Sequence, residues 1–202
     1  MYWIRTHKAG VSIAVHKSQS KQLGRVRYRK EQHQASRLAV REYNRSLSRR
    51  ELTLKLNANF LPGDGHMRLH YRKGSCTSPE QAMHCWDVFT KAVRRECVKA
   101  GVPFKFVHAL GVGERGAMHH HLVVNKEAIN IVSRLWQYGP RPNGTHLYDW
   151  QNSQGLAWYF CGPDKHENPN DPKQLTLQGK GNTCSRHLET PQPETEPVCE
   201  AE

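Results

Sequence analysis

The apolar positions Leu38, Val40, Leu47, Leu52, Leu54 and Leu56 lie scattered among charges across residues 31–58, without a Gly or Pro, which predicts a long, weakly amphipathic helix. The next residues, NFLPGDG, have turn chemistry. In HMRLHYR (66–72), Met67, Leu69 and Tyr71 alternate with polar residues, as on a half-buried strand. A second helix starts behind Ser78 with Pro79 at its first position, carries Met83, Trp86, Phe89 and Val93 at helical spacing, and stops at Gly101. Phe104–Val112 and Met118–Val124 read as two strands joined by the turn GERGA, a β-hairpin. Residues 127–137 look helical, His146–Trp150 is a short strand, and a short helix runs from Ser153 to about Cys161 before Gly162-Pro163 ends it. Residues 164–180 have the composition of a loop. The order helix, strand, helix, hairpin, helix, strand, helix implies an α+β fold, an antiparallel β-sheet with packed helices.

Charge divides this picture into three parts. The chain has 202 residues and a formal net charge of +12, and 13 of its 30 Lys and Arg fall within residues 1–50 against only Glu31 and Glu42. We therefore expect a basic N-terminal arm and helix over 1–56, a folded domain over 57–188, and a disordered acidic tail over 189–202, where five Glu and three Pro occur with no basic residue. A basic segment carrying Trp3, Tyr28 and Tyr43 suits a polyanion, because Lys and Arg displace counterions from phosphates and aromatic faces stack on unpaired bases. A solubilising arm would carry the same charge. No run approaches the roughly 18 apolar residues of a membrane span. The six cysteines form no C-x-x-C pair and are expected as reduced thiols in a soluble intracellular protein.

The candidate chemistry lies in Met118-His119-His120-His121-Leu122. On a strand, alternate side chains share a face, so His119 and His121 point together and His120 points away. Two imidazoles on one strand can hold a divalent metal, and nitrogen ligands suit Mn, Zn, Co or Ni better than Mg. Glu114, across the hairpin turn, can add a carboxylate. Tyr159, in the last turn before Gly162-Pro163, offers a phenol that can attack a phosphodiester polarised by a metal. Paired histidines are also an ordinary surface or core pattern, and a tyrosine beside Leu156, Trp158 and Phe160 also packs. The spacing leaves both readings open.

Three segments in order, NFLPGD leading to MRLHY, then GVGERGAMHHHLVVN, then GLAWYF followed by SRHLETP, resemble the rolling-circle replication initiators of the HUH endonuclease superfamily. The likeness is to single-tyrosine replication-associated proteins akin to the filamentous-phage gene II type, and it covers about Asn57 to Pro191. It implies a palm-like fold of the RRM type, His119 and His121 as ligands of a Mg or Mn ion, Glu114 as the acidic third ligand and Tyr159 as the nucleophile. Family members commonly carry a lysine one turn after the nucleophile; here Gly162 holds that place and Lys165, the candidate for this role, lies beyond Pro163. His70 stands where a small hydroxyl residue is more usual. The DNA-facing candidates are Arg45, Arg49 and Arg50 on the basic helix, Arg68 on the strand and Arg115 in the turn.

The function implied is metal-dependent nicking of single-stranded or hairpin origin DNA through a covalent 5′-phosphotyrosine, initiating rolling-circle replication of a phage, plasmid or other mobile element in a bacterial cytoplasm. No Walker-type loop or helicase motif is present, so a host helicase and polymerase are the expected partners, with no membrane and no small-molecule substrate. A single-tyrosine transposase or relaxase uses the same chemistry, although relaxases usually place the tyrosine before the histidines. A repressor or copy-control protein would use the basic segment alone.

Overall fold

A computed structural model describes residues 2–19, 37–113, 117–147, 153–161 and 182–198. The strands are β1 (Tyr2–Ala9), β2 (Ser12–Ser18), β3 (Gly65–His70), β4 (Phe106–Val112), β5 (Met118–Val124), β6 (Asn143–His146), β7 (Thr183–Cys184) and β8 (Pro193–Val198). The helices are α1 (Arg37–Asn59), α2 (Pro79–Ala100), α3 (Ile129–Leu135), entered through a 3-10 turn at Lys126–Ala128, and α4 (Gln154–Cys161). The fold is α+β, with one five-stranded antiparallel sheet in the order β6-β3-β5-β4-β7 and one three-stranded sheet in the order β2-β1-β8.

Both faces of the larger sheet are used, and differently. Strand alternation sends Met67, Leu69, Phe106, Leu122 and Val124 to one face, where they meet Trp86, Phe89 and Val93 of α2 and Val132 of α3 in a closed core. The opposite face sends Val107, Ala109 and Val123 against Leu52 and Leu56 of α1, Phe60 just beyond it, and Ala157 and Phe160 of α4. That cover reaches only part of the face. The rest of that face carries Arg68, His70 and His119, with His121 buried beside them, because Arg68 lies opposite His121 and His70 opposite His119 in the β3–β5 register.

Local chemistry explains where the elements begin. Ser78 Oγ accepts the Gln81 N–H at 3.2 Å, and the Gln81 amide oxygen accepts the Thr77 N–H, so α2 starts where the capping residues predict. The NFLPGDG turn is a brace. Buried Asp64 accepts the N–H of Leu61 and of Lys126 on its two carboxylate oxygens, both at 2.8 Å, and its carbonyl accepts the Leu147 N–H at 2.7 Å. Asp64→Ala leaves two part-buried backbone donors without their acceptor and is expected to cost about 1–2 kcal/mol of stability, read as a lower urea midpoint at unchanged m-value.

Three expectations are corrected. The acidic tail is ordered through residue 198: β8 pairs along β1 from Tyr2↔Val198 to His7↔Pro193, and Asn59 fixes its approach by accepting the Glu189 N–H at 2.7 Å and donating to the Glu189 carbonyl at 2.9 Å. Composition misleads here because a ladder is built from backbone groups, and an edge strand tolerates Pro193 and Pro197. The boundary at residue 56 is not a packing boundary, since Leu52 and Leu56 share a core with Val107 and Val123, and the N-terminal arm itself forms β1 and β2. The strand expected at His146–Trp150 lies earlier, as β6, with residues 148–152 outside the described residues. Among the described residues no helix is long and apolar enough to cross a membrane, and Cys76, Cys85, Cys97, Cys161 and Cys184 are free thiols.

Candidate active site

Strand alternation in β5 does what the sequence pattern requires: His119, half-buried, and His121, buried beside Tyr159, share one face of the sheet, and His120 is fully buried on the other side. Their Nε2 atoms converge to 2.8 Å, with the rings nearly perpendicular at 85°. Gly111, opposite His119 on β4, makes the room. A Cβ there would sit 2.6 Å from His119 Nε2 and 3.0 Å from His121 Nε2, so any other residue would push the imidazoles away.

The tautomer follows from the surroundings. His119 Nδ1 lies 3.4 Å from the Ala117 carbonyl, to which it can only donate, leaving the Nε2 lone pair directed into the site. Burial depresses the pKa of His119, and burial followed by the neighbouring His119 brings that of His121 down to about 3, so both rings are neutral at neutral pH. Lone pairs aimed at one point repel unless a proton or a cation lies between them.

A metal ion suits this pair. The two Nε2 atoms converge on one point from one face of the sheet, as two nitrogen ligands of a single ion would. The nitrogen–backbone contact of His119 is the kind of outer support that metal-bound imidazoles use. Among the described residues no three His, Cys, Asp or Glu side chains form a metal site. Glu114, the expected third ligand, and Arg115 both lie outside the described residues, as does Lys165.

Tyr159 reaches the same place from α4. Ala157 and Phe160 bury the inner side of this short helix, which turns Tyr159 toward the sheet, 42% exposed, with its ring edge-on to His121 at 4.6 Å and its hydroxyl 3.3 Å from His121 Nε2. Arg68 adds positive charge, its guanidinium 5.8 Å from the Tyr159 ring centre. His70 stacks on His119 at 5.5 Å, so the unusual residue of the MRLHY strand flanks the histidine pair.

The candidate arginines of the basic helix have partners within the fold. Arg49 is largely buried, bonded to Glu42 at 3.0 Å and stacked 3.6 Å over the ring of Trp158, so it ties α1 to α4 beside the tyrosine. Arg45 lies 3.7 Å from Glu42. Arg50 stands against the smaller sheet, where its charge acts on His7 and His16.

One residue escaped the sequence reading. His66 lies 5.9 Å from the rings of both His121 and Tyr159, with Nε2 buried and unbonded among the described residues. Burial, and then Arg68, lower its pKa to about 4. The signal was the period-two set His66, Arg68, His70, which shares one face just as Met67 and Leu69 share the other. Comparison of the chain with protein-family models, with curated proteins and with solved structures finds no match.

Proposed function

We propose that this protein is an HUH-type single-strand DNA nickase and strand transferase that initiates rolling-circle replication of a mobile element. One observation carries the reading: a part-exposed tyrosine hydroxyl, a converging pair of neutral imidazoles and an arginine meet on the open part of an antiparallel sheet. Packing alone does not require that set, since the apolar contacts of α4 are already made by Ala157 and Phe160.

The chain's own residues do most of the work in this scheme. Arg68 holds the phosphodiester by charge beside the phenol, and the sheet keeps the imidazoles and the tyrosine in fixed relation. The phenolic oxygen of Tyr159 forms a new P–O bond in line, the bond to the 3′ oxygen breaks, and the phenolic proton leaves to solvent while the 3′ oxygen takes one up. A 5′-phosphotyrosine and a free 3′-hydroxyl result. One phosphoester replaces another, so no nucleotide is consumed and attack by a 3′-hydroxyl reverses the step. His119 and His121, with Glu114 as the expected third ligand, would hold a divalent ion, which would supply Lewis-acid polarisation of the phosphate. A host polymerase extends the 3′-hydroxyl and a host helicase opens the duplex.

The test incubates the full chain with single-stranded or hairpin origin DNA and Mn, then resolves adducts that survive denaturation. The expected result is an adduct lost on chelation and restored by Mn. In His119→Ala its rate of formation should fall about a hundredfold, the size of one lost electrostatic contact in a catalytic site, with DNA affinity within about twofold. Tight DNA binding without any adduct would sink the nickase and leave a binding module.

A further inference from the structure

Beside the histidine pair the sheet edge carries a cavity of about 260 Å³ lined by Arg68, His70, Pro140, Arg141 and Pro142. Resting on the reading above, we infer that this cavity seats the nucleotide next to the scissile phosphate, its phosphate on Arg141, with Arg68 on the side of the scissile phosphate, and its base against Pro140 and Pro142.

The cavity is built into the backbone. Trp136 Nε1 donates to the His70 carbonyl at 2.9 Å and Arg72 N–H to the Tyr138 carbonyl at 3.0 Å, which draws residues 136–138 against the end of β3. At Gly139 an added Cβ would lie 1.8 Å from the His70 carbonyl oxygen, so only glycine lets the loop cross there. Pro142 is buried and β6 follows at once, pairing Asn143 with Arg68. Arg141 is thus carried on a short, pinned loop.

Among the described residues neither Arg68 nor Arg141 pairs with an acidic side chain, whereas Arg45, Arg49 and Arg134 all do. Two unpaired guanidiniums around a cleft with proline walls suit an anion attached to a flat or apolar body, which describes a nucleotide. At about 260 Å³ the space is below the roughly 300–1,000 Å³ of sites that enclose a whole drug-sized ligand, and so suits one unit of a longer strand. Position completes the argument. Arg68 faces both the cavity and the Tyr159 ring, and His70 faces both the cavity and His119, so a strand crossing the tyrosine runs into this cleft.

The test measures binding of a short single-stranded origin oligonucleotide across salt, in a Tyr159→Phe background so that no covalent bond forms. Arg141→Ala should weaken binding about tenfold and reduce the slope of log affinity against log salt by about 0.7, the loss of one phosphate contact on a single strand. Arg141→Lys should keep the slope and recover part of the affinity, while Arg95→Ala, on exposed α2 across the sheet, should match the parent. A neutral methylphosphonate linkage is then walked along the oligonucleotide. One linkage adjoining the nick site should weaken binding to the parent but add nothing to Arg141→Ala. Identical linkage profiles in the two proteins, or no change of slope, would overturn the inference while leaving the nickase standing. An intact Arg141 effect in a protein that forms no adduct would leave the cavity and remove the nickase; no binding by the parent would remove both.

Discussion

Tyr159→Phe should abolish the covalent protein–DNA adduct while leaving the fold and DNA affinity within about twofold of the parent. The substitution removes one oxygen. Its one hydrogen bond, to His121 Nε2 at 3.3 Å, is long, and the edge-on ring contact at 4.6 Å survives in phenylalanine, so the stability change should stay below about 1 kcal/mol. The loss of adduct should be on the order of 10⁴-fold or more, because the residue removed makes the new bond. Intact mass measurement after denaturation reads the adduct directly, and fluorescence anisotropy with the same oligonucleotide reads affinity. A persisting adduct would place the nucleophile elsewhere on the chain.

Acid should unfold the metal-free protein cooperatively, with stability complete above about pH 7 and falling as the pH drops through the histidine range. The reason lies beneath the site. Tyr71 Oη contacts His120 Nε2 at 2.7 Å, His120 Nδ1 contacts His108 Nε2 at 2.8 Å, and His108 Nδ1 contacts Thr183 Oγ1 at 3.0 Å, while Tyr71 Oη also donates to the Ala82 carbonyl at 3.2 Å. One assignment satisfies every atom. Thr183 donates to His108, His108 to His120, His120 to Tyr71 and Tyr71 to Ala82, with both imidazoles neutral. A proton added to His120 sets two donors against each other at the His108 contact, and a proton added to His108 places a charge under Trp86, which stacks on it at 3.7 Å.

The direction of the pH effect follows. Burial, with the neighbouring His119 adding to it, lowers His120 from 6.5 to about 3, and burial lowers His108 well below its ordinary value. The unfolded chain therefore binds more protons below about pH 6.5, and stability is lost progressively from there toward pH 3. At about 1.4 kcal/mol per pKa unit, His120 alone accounts for several kcal/mol, a large share of the roughly 5–15 kcal/mol of a typical domain. Urea midpoints measured from pH 7.5 to 4 in the presence of a chelator read the effect. A midpoint that does not move across that range would show that these rings are not buried neutral. His120→Asn, which drops the titrating ring, should flatten the pH dependence while lowering the plateau.

Much of this molecule was legible in period and punctuation. Ser78 and Pro79 announced α2, the alternation of MHHHLVV announced β5, and the same alternation placed His119 and His121 together and His120 apart. These are local properties of the chain. Dihedral preferences, capping and the period of two or 3.6 operate over a few residues and leave their trace in the order of residues.

The rest depended on which elements meet. The acidic, proline-rich end reads as disordered by composition, yet Asn59 and β1 supply backbone partners from the far end of the chain. Arg49 reads as a DNA-facing candidate, and the fold sets it between Glu42 and Trp158. His66 and Tyr159, far apart in sequence, share a site only because α4 crosses the sheet where β3 exposes its polar side. The sequence only turns the central histidine away from its neighbours; Tyr71 and His108 close a buried chain around it. By itself the sequence determined the long helices α1 and α2, the strands β3 to β5, the face each histidine takes and the chemical character of the candidate site. The tertiary structure alone decided which charges are spent on packing, which stand unpaired over the open sheet, and that the tail belongs to the fold, because those outcomes depend on distances between residues that no local pattern encodes.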